Sequence, residues 1–306
     1  MMEELKGRII SASGGLYAID TGEAVVSCRA KGAFRHEGEK PLSGDLVTLR
    51  GSDGEYVIGS ILPRKNSFIR PPVANLDTLF IVASAVTPDP VLLTLDKLIS
   101  IAEHASVEPV VVVTKNDLDG KAAKELAGIY EMSGFTVFSC PDGGGKEALA
   151  DYISTECRDK IIAFAGNSGV GKSTLLNSLF PALSLETGRV SVKTERGRHT
   201  TRKVELYPLG ELLRGSDAKG YVADTPGFSM LDFVRFDFYK KEDLPYAFRE
   251  FSPYLGGCRY TKCTHTVEDG CAVLAALNEG RIAPSRHESF RAIYDDLKNK
   301  HDWDKK

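Results

Sequence analysis

The sequence predicts a multidomain protein with an all-β N-terminal part, a central α/β domain and a mainly α-helical, metal-binding C-terminal part. Three patterns predict this order: short β-rich runs between glycines, then strands alternating with helices, then clustered cysteines beside a histidine. The 306 residues suffice for two or three compact domains, each with its own core. We expect the domains to span residues 1–68, 69–235 and 236–306.

Composition narrows the class of protein. Hydrophobic residues make up 42% and charged residues 26% of the chain, as in ordinary globular proteins. No apolar run approaches the roughly 20 residues of a membrane span, and the first residues lack the apolar core of a secretion signal. The net charge of −3 gives no overall basic surface for nucleic acid. We expect a cytoplasmic monomer without a membrane partner.

The β-rich part is predicted within the first domain. Its runs of Val, Ile, Leu and Tyr alternate with turn-forming glycines, which is typical of a small antiparallel barrel or sandwich. Strands are predicted at 7–20, 24–29, 45–50 and 56–61. The next segment, 63–72, contains three prolines and is interpreted as a linker.

From residue 76 the pattern changes to that of an α/β domain. Apolar, β-branched runs predict strands buried on both faces, and helical patterns separate them, which favours a parallel sheet. The strands are predicted at 78–86, 109–113, 135–139, 160–165 and 220–223, and the helices at 91–105, 121–133, 146–158 and 172–180. A last helix is predicted near 285–300, after the alternation has stopped.

A phosphate-binding loop (P-loop) is predicted at 166–173, where GNSGVGKS fits G-x-x-x-x-G-K-[ST] between an apolar strand and a helix. The backbone amides of such a loop and of the helix N-terminus cradle a β-phosphate. Lys172 is expected to reach the β- and γ-phosphates, and the Ser173 hydroxyl to ligate Mg²⁺. The candidate phosphate-binding residues are Gly166, Asn167, Ser168, Gly169, Val170, Gly171, Lys172, Ser173 and Thr174.

The sequence TKND at 114–117 is the candidate base-recognition motif, at the end of an apolar strand where α/β sheets place ligand loops. The Asp117 carboxylate can accept hydrogen bonds from guanine N1–H and its 2-amino group, which adenine does not offer. The Lys115 stem can pack against the base. The usual GTPase motif is Asn-Lys-x-Asp, so Thr114 replaces asparagine, which predicts weaker base affinity unless its hydroxyl helps to hold the loop.

A third motif, DTPG at 224–227, ends another predicted strand. Asp224 is expected to reach Mg²⁺ through water, and the Gly227 amide to contact the γ-phosphate. The next residue is Phe228, where many GTPases place the glutamine that orients the attacking water. Slow intrinsic hydrolysis is therefore expected.

The order of the motifs is that of a circular permutation. Ordinary GTPases begin with the P-loop, whereas here the base motif precedes it and DTPG follows it. Neighbouring chain termini tolerate such rearrangement. Between base motif and P-loop, Ser139 and Cys140 end a strand where a GTPase amide touches guanine O6, although a plain strand end fits equally well.

Two alternatives stay open. A P-loop kinase or ATPase is disfavoured by the guanine motif and by DTPG. A nucleotide-dependent RNA-binding module with negligible turnover is compatible with Phe228.

A metal site is predicted from three thiols and an imidazole within 14 residues, because Cys3His is a common closed tetrahedral zinc site. The spacing C-x4-C-x-H-x5-C leaves no open position for catalysis, so one structural zinc per chain is expected. Crowded free cysteines are the weaker alternative. The candidate ligands are Cys258, Cys263, His265 and Cys271. No role is assigned to His36, His104, His287 or His301.

The β-rich start, TKND, GNSGVGKS, DTPG and the late Cys/His cluster together resemble the RsgA family of bacterial GTPases over nearly the whole chain. The resemblance implies an N-terminal OB-fold, a circularly permuted GTPase and a C-terminal zinc domain. It implies GTP hydrolysis to GDP, stimulated by the small ribosomal subunit during its late maturation, and rRNA binding. It also implies that 197–201 is switch I, in which Thr200 or Thr201 ligates Mg²⁺ and His199 positions the attacking water.

Overall fold

The computed structural model describes residues 3–30, 40–52, 55–69, 71–141, 146–183, 204–213, 218–224 and 240–299. The chain forms two compact units, each built from segments distant in sequence. The first comprises Met1–Thr78, Ala150–Phe164 and Ser173–Phe228, and the second comprises Leu79–Leu149, Ala165–Lys172 and Ser229–Lys306. Among the described helices, none is both long and apolar enough to cross a membrane.

The first unit begins with a closed barrel of five strands. They are β1 (Glu3–Ser13), β2 (Leu16–Asp20), β3 (Val25–Ala30), β4 (Leu46–Ser52) and β5 (Glu55–Ile61). Strand β1 pairs with both β2 and β4, and the order β1-β2-β3-β5-β4 closes the barrel. The predicted run 7–20 is two strands, because Gly14 and Gly15 both adopt positive φ at the turn between them. The core consists of Ile9, Ile19, Cys28, Val47, Leu49 and Ile58.

The segment 63–72 is not a plain linker, and that interpretation was wrong. It contains β6 (Ser67–Ile69) and enters β7 (Pro72–Ala74), and these two strands pair antiparallel. Three-residue strands are too short to show alternation, and Pro72 occupies a strand start, where proline is tolerated.

The second unit contains the start of the α/β alternation. Its elements are β8 (Thr78–Ser84), α1 (Leu92–His104), β9 (Glu108–Thr114), α2 (Gly120–Met132) and β10 (Thr136–Cys140). The strand order is β10-β9-β8, and β9 and β10 are parallel. The four valines of β9 are fully buried, as predicted for a strand covered on both faces.

The α/β part of the first unit continues the sheet of the barrel. Helix α3 (Lys146–Glu156) leads to β11 (Lys160–Gly166), whose last residues enter the second unit, and α4 (Lys172–Leu179) follows. Then come β12 (Glu205–Pro208), α5 (Leu209–Leu212) and β13 (Gly220–Asp224). In the order β11-β13-β12-β1, the first pair is parallel and the others are antiparallel.

The C-terminal part of the second unit is mainly helical. Two 3₁₀ turns, Leu244–Ala247 and Arg249–Tyr254, precede α6 (Ala272–Asn278) and α7 (Pro284–Asn299). Helix α7 confirms the last predicted helix and packs against α1. A separate hydrophobic core forms here from Leu244, Phe248, Phe251, Cys271, Val273, Ala276, Ile282, Phe290 and Ile293.

Candidate nucleotide and metal sites

The P-loop connects β11 to α4, and glycine is required at several of its positions. A Cβ on Gly166 would lie 2.6 Å from the Val82 carbonyl oxygen, so no larger residue fits against β8. Gly169 and Gly171 adopt φ of +83° and +90°, which glycine tolerates without strain. Helix α4 then starts at Lys172, with Ser173 and Thr174 in its first turn.

Thr114 joins the base motif to the P-loop. Its hydroxyl, at the end of β9, donates to the Val170 carbonyl oxygen at 2.5 Å and lies 3.3 Å from the Ala83 carbonyl oxygen. The residue is only 4% exposed, so this contact is shielded from water. The hydroxyl therefore ties the base loop to the phosphate loop, in the position where other GTPases have asparagine.

Lys115 makes a second link between these loops. Its backbone is left-handed, with φ of +59°, and its ammonium donates to the Gly169 carbonyl oxygen at 2.7 Å and to that of Thr87. Asn116 presents a buried Oδ1 that has no hydrogen-bond partner among the described residues. Asp117 lies exposed on the same loop. The structure thus brings 114–117 and the P-loop residues 166–171 together.

The end of β10 lies beside the base motif. Cys140 is paired with Thr114 in the parallel ladder, and Ser139 with Val113. Burial raises the pKa of the Cys140 thiol to about 11, with a smaller effect from Glu147. The thiol is therefore protonated near neutral pH and adds no charge at this end of β10.

Several predicted residues lie outside the described part of the chain. They are His199, Thr200 and Thr201 of the predicted switch I, and Gly227 of DTPG. Asp224 ends β13 and is paired across the ladder with Glu205 of β12, but its side chain is outside the description as well.

The four predicted metal ligands converge, with their ligand atoms all within 4.8 Å of one another. The His265 Nδ1 lies 3.5 Å from the Sγ atoms of both Cys258 and Cys271, and these two sulfurs are 3.9 Å apart. A tetrahedral ion with Zn–S bonds of about 2.3 Å separates its sulfurs by about 3.8 Å. The donor set therefore fits a small tetrahedral metal ion.

Glu268, for which the sequence indicated no role, braces the loop that carries His265. The Glu268 carboxylate accepts from the backbone amides of Thr264, Thr266 and Val267 at 2.8 to 3.2 Å. Burial acts to raise the pKa of Glu268, but the bonds from Thr264 and the loop amides lower it to about 2. The carboxylate is therefore ionised near neutral pH.

His287 also supports the metal loop, so assigning it no role was wrong. The residue is buried on α7, and its Nε2 lies 2.8 Å from the His265 carbonyl oxygen, to which it donates. His265 has φ of +60°, an uncommon conformation that needs such support. The sequence pattern does not predict this contact, because a single histidine within a predicted helix does not indicate its partner.

Comparison with known proteins agrees with this geometry. The family model "RsgA GTPase" matches residues 61–234, and "RsgA N-terminal domain" matches residues 6–56. The chain belongs to the RsgA family. Among its relatives, the "Small ribosomal subunit biogenesis GTPase RsgA" of Caldanaerobacter subterraneus subsp. tengcongensis is 40% identical over 303 residues, covering 98% of each chain. RsgA 2 of Listeria monocytogenes is also 40% identical, over 97% of this chain and 98% of the relative.

Solved structures of RsgA relatives show the same fold. YjeQ from Thermotoga maritima has a TM-score of 0.80 and 31% identity, over 98% of this chain and all of that one (100%). YloQ, described as a circularly permuted GTPase, has a TM-score of 0.78 and 31% identity, over 98% and 96% of the two chains. The predicted OB-like barrel, the permuted GTPase and a helical C-terminal part with a Cys/His group that could hold a metal ion are thus confirmed.

Proposed function

We propose that this protein hydrolyses GTP to GDP and phosphate at a rate controlled by the small ribosomal subunit, and that it acts late in maturation of that subunit in the cytoplasm. The observation that carries the proposal is the hydrogen bond from Thr114 to Val170, which joins a guanine-type motif to a P-loop in an RsgA-family fold. Relatives named as small ribosomal subunit biogenesis GTPases support the choice of partner.

In this proposal the P-loop residues hold the β- and γ-phosphates, and Asp117 reads guanine through its N1–H and 2-amino groups. The Lys115 ammonium is held by the carbonyl oxygens of Gly169 in the P-loop and of Thr87, which would place its aliphatic stem along the base pocket. A backbone amide at Ser139 or Cys140 contacts guanine O6.

Ser173, Asp224 and one of the two switch I threonines would hold Mg²⁺, directly or through water. When bound, the ion neutralises charge that develops on the phosphate oxygens. Lys172 adds a fixed positive charge at the same phosphates. Phe228 offers no hydrogen bond to the attacking water, so His199 takes that task once the ribosomal subunit orders switch I.

The metal in the Cys3His site is proposed to be one structural zinc ion per chain. Its four protein ligands leave no position for a substrate. We also propose that the protein is a monomer, that it contacts rRNA, and that the barrel, the GTPase and the zinc part form domains at 1–68, 69–235 and 236–306.

GTP turnover with and without purified small ribosomal subunits tests this function. We expect slow hydrolysis by the protein alone and strong acceleration by small subunits, with large subunits as the matched control. Competition by ATP should be negligible. Equal rates under all conditions would favour an RNA-binding module in which nucleotide only sets conformation.

A further inference from the structure

Strand β1 of the barrel belongs to the same sheet as β12 and β13, which adjoin the predicted switch I and DTPG in sequence. The ladder places Ser11 of β1 opposite Glu205 of β12, and Glu205 opposite Asp224 of β13. Because neighbouring strands lie about 4.8 Å apart, Ser11 is only about 10 Å from Asp224. In sequence, β12 comes shortly after the predicted switch I, and Asp224 is the first residue of DTPG.

A buried side chain fixes the start of β12 to the barrel. The Ser43 hydroxyl donates to the Val204 carbonyl oxygen at 2.7 Å, and the two residues are 2% and 3% exposed. Val204 immediately precedes β12. The contact therefore fixes the start of β12, which follows the predicted switch I in sequence.

The turn that presents Ser43 is rigid. Gly44 has φ of +97°, and a Cβ there would lie 2.0 Å from the Ala74 carbonyl oxygen, so only glycine fits. The fully buried Asp45 accepts from the Leu42 amide and from the Arg64 guanidinium at 2.7 Å. These contacts hold the turn that carries Ser43.

A second tie fixes β13. The Tyr221 hydroxyl donates to Asp20 Oδ2, at the end of β2, at 2.8 Å. Burial, with Asp20 adding to it, raises the pKa of Tyr221 above its usual value, so the phenol is protonated and donates. Tyr221 lies on the same strand as Asp224, three residues before it.

We propose that the barrel is a positioning element for GTP hydrolysis, in which Ser43 and Tyr221 fix β12 and β13 and so set the place of Asp224. This inference rests on the proposed function and deepens it. A subunit that binds the barrel would act on Asp224 through three hydrogen-bonded strands. Neither residue lies in a predicted nucleotide motif, so both are positioning residues.

The first arm of the test needs no ribosome. Hydrogen exchange is compared with GDP and with a non-hydrolysable GTP analogue bound. In the parent, the exchange of β12 and of β1 should change together. In the Ser43→Ala/Tyr221→Phe variant, the exchange of β12 should still change, whereas that of β1 should not. Ser60→Ala is the matched control, because it removes a barrel hydroxyl that bonds only Thr48 within the described structure, at 2.8 Å.

The second arm measures subunit-stimulated turnover. Loss of the buried Ser43 bond and the part-buried Tyr221–carboxylate bond should lower kcat about tenfold, while KM and GDP affinity stay within about twofold and Ser60→Ala matches the parent. A purely stabilising role would lower the unfolding midpoint without this split between kcat and KM. If the double variant is unstable, Tyr221→Phe alone is measured, because it removes one oxygen atom and keeps the packing of the ring.

The two proposals fail in different ways. If small subunits do not stimulate the parent, the proposed function is wrong, and the exchange arm still tests the coupling. If the parent is stimulated and the double variant behaves like Ser60→Ala in both arms, the positioning role is overturned.

Discussion

Arg286 of α7 and Asp96 of α1 form a buried ion pair, with Nη1 2.6 Å from Oδ1. The same guanidinium binds Glu250 at 2.7 Å, and Arg286 is fully buried. Burial acts to lower the pKa of Arg286, but Asp96 and Glu250 outweigh it and raise the pKa above its usual value. The C-terminal part is thus fastened to α1 by a charged triad shielded from water.

Arg286→Met should lower the free energy of unfolding by about 3–5 kcal/mol, because two buried carboxylates lose their partner. Urea unfolding followed by circular dichroism measures this change. Lys121→Gln is the control, since Lys121 is 87% exposed and pairs at 3.8 Å with Glu125 on the surface of α2. Its loss should cost no more than about 1 kcal/mol.

Replacing the whole triad provides the complementary result. Arg286→Met combined with Asp96→Leu and Glu250→Met should regain most of the lost stability, because no uncompensated charge stays buried. An Arg286→Met protein as stable as the parent would show that the triad is dispensable.

The nucleotide motifs could be predicted from the sequence, whereas the Arg286 triad and the contacts of Glu268 and His287 could not. TKND and the P-loop are contiguous motifs, so each was found from local pattern, and strand-end geometry explains why they meet. Arg286 occurs in an amphipathic helix, where arginine normally faces solvent. Its burial depends on Asp96, which lies 190 residues away in sequence.

The pairing of strands far apart in sequence could likewise not be predicted from local sequence patterns. The antiparallel pairing of β1 with β12 joins segments that are far apart in sequence, at Ser11 and Glu205, and nothing in either strand's sequence indicates its partner. His287 shows the same limit, since its contact with the His265 carbonyl depends on how α7 packs.

Thr114→Val should weaken GDP binding by about 5–10-fold, because the Val170 carbonyl loses its buried donor while side-chain volume is kept. Thr114→Ser keeps the hydroxyl and should bind within about twofold of the parent. Calorimetric titration with GDP measures both. Equal affinities for the two variants would show that the hydroxyl does not hold the loop.

Asp117→Asn should change base preference from guanine to xanthine, whose 2-carbonyl needs a donor where guanine needs an acceptor. GTP affinity should fall by more than about 100-fold, and xanthosine triphosphate should bind instead. Asp119→Asn is the control, because Asp119 caps α2 by accepting from the amides of Lys121 and Ala122. Unchanged GTP affinity in the Asp117 variant would contradict the assignment of Asp117 to guanine recognition.

Cys263→Ser should abolish metal binding and destabilise the C-terminal part, because the free energy of ligation is also free energy of folding. GTP binding should survive. Metal analysis should find one zinc per parent chain, and Cys28→Ala, which changes a buried barrel thiol, should keep it. Parent protein with less than about half an equivalent of zinc would contradict the assignment.

Metal affinity should rise with pH. Burial raises the pKa of the Cys263 thiol to about 12, so the metal-free thiol is protonated near neutral pH. Binding must release that proton, and removing protons from solution favours the bound state. Calorimetric titration in two buffers of different ionisation enthalpy counts the protons released, and a count of zero would contradict thiolate ligation.

His199→Ala should preserve GTP affinity and lose most of the rate that small subunits stimulate. Phe228 leaves the attacking water without its usual partner, while Lys172 and Mg²⁺ still stabilise charge on the γ-phosphate, so binding and rate should separate. Lys172→Ala is the contrasting variant, because it should damage binding and hydrolysis together. Single-turnover rates with saturating small subunits, set beside GTP affinity, make the comparison. Full stimulation of His199→Ala would mean that the ribosome completes the site itself or recruits another residue of this chain.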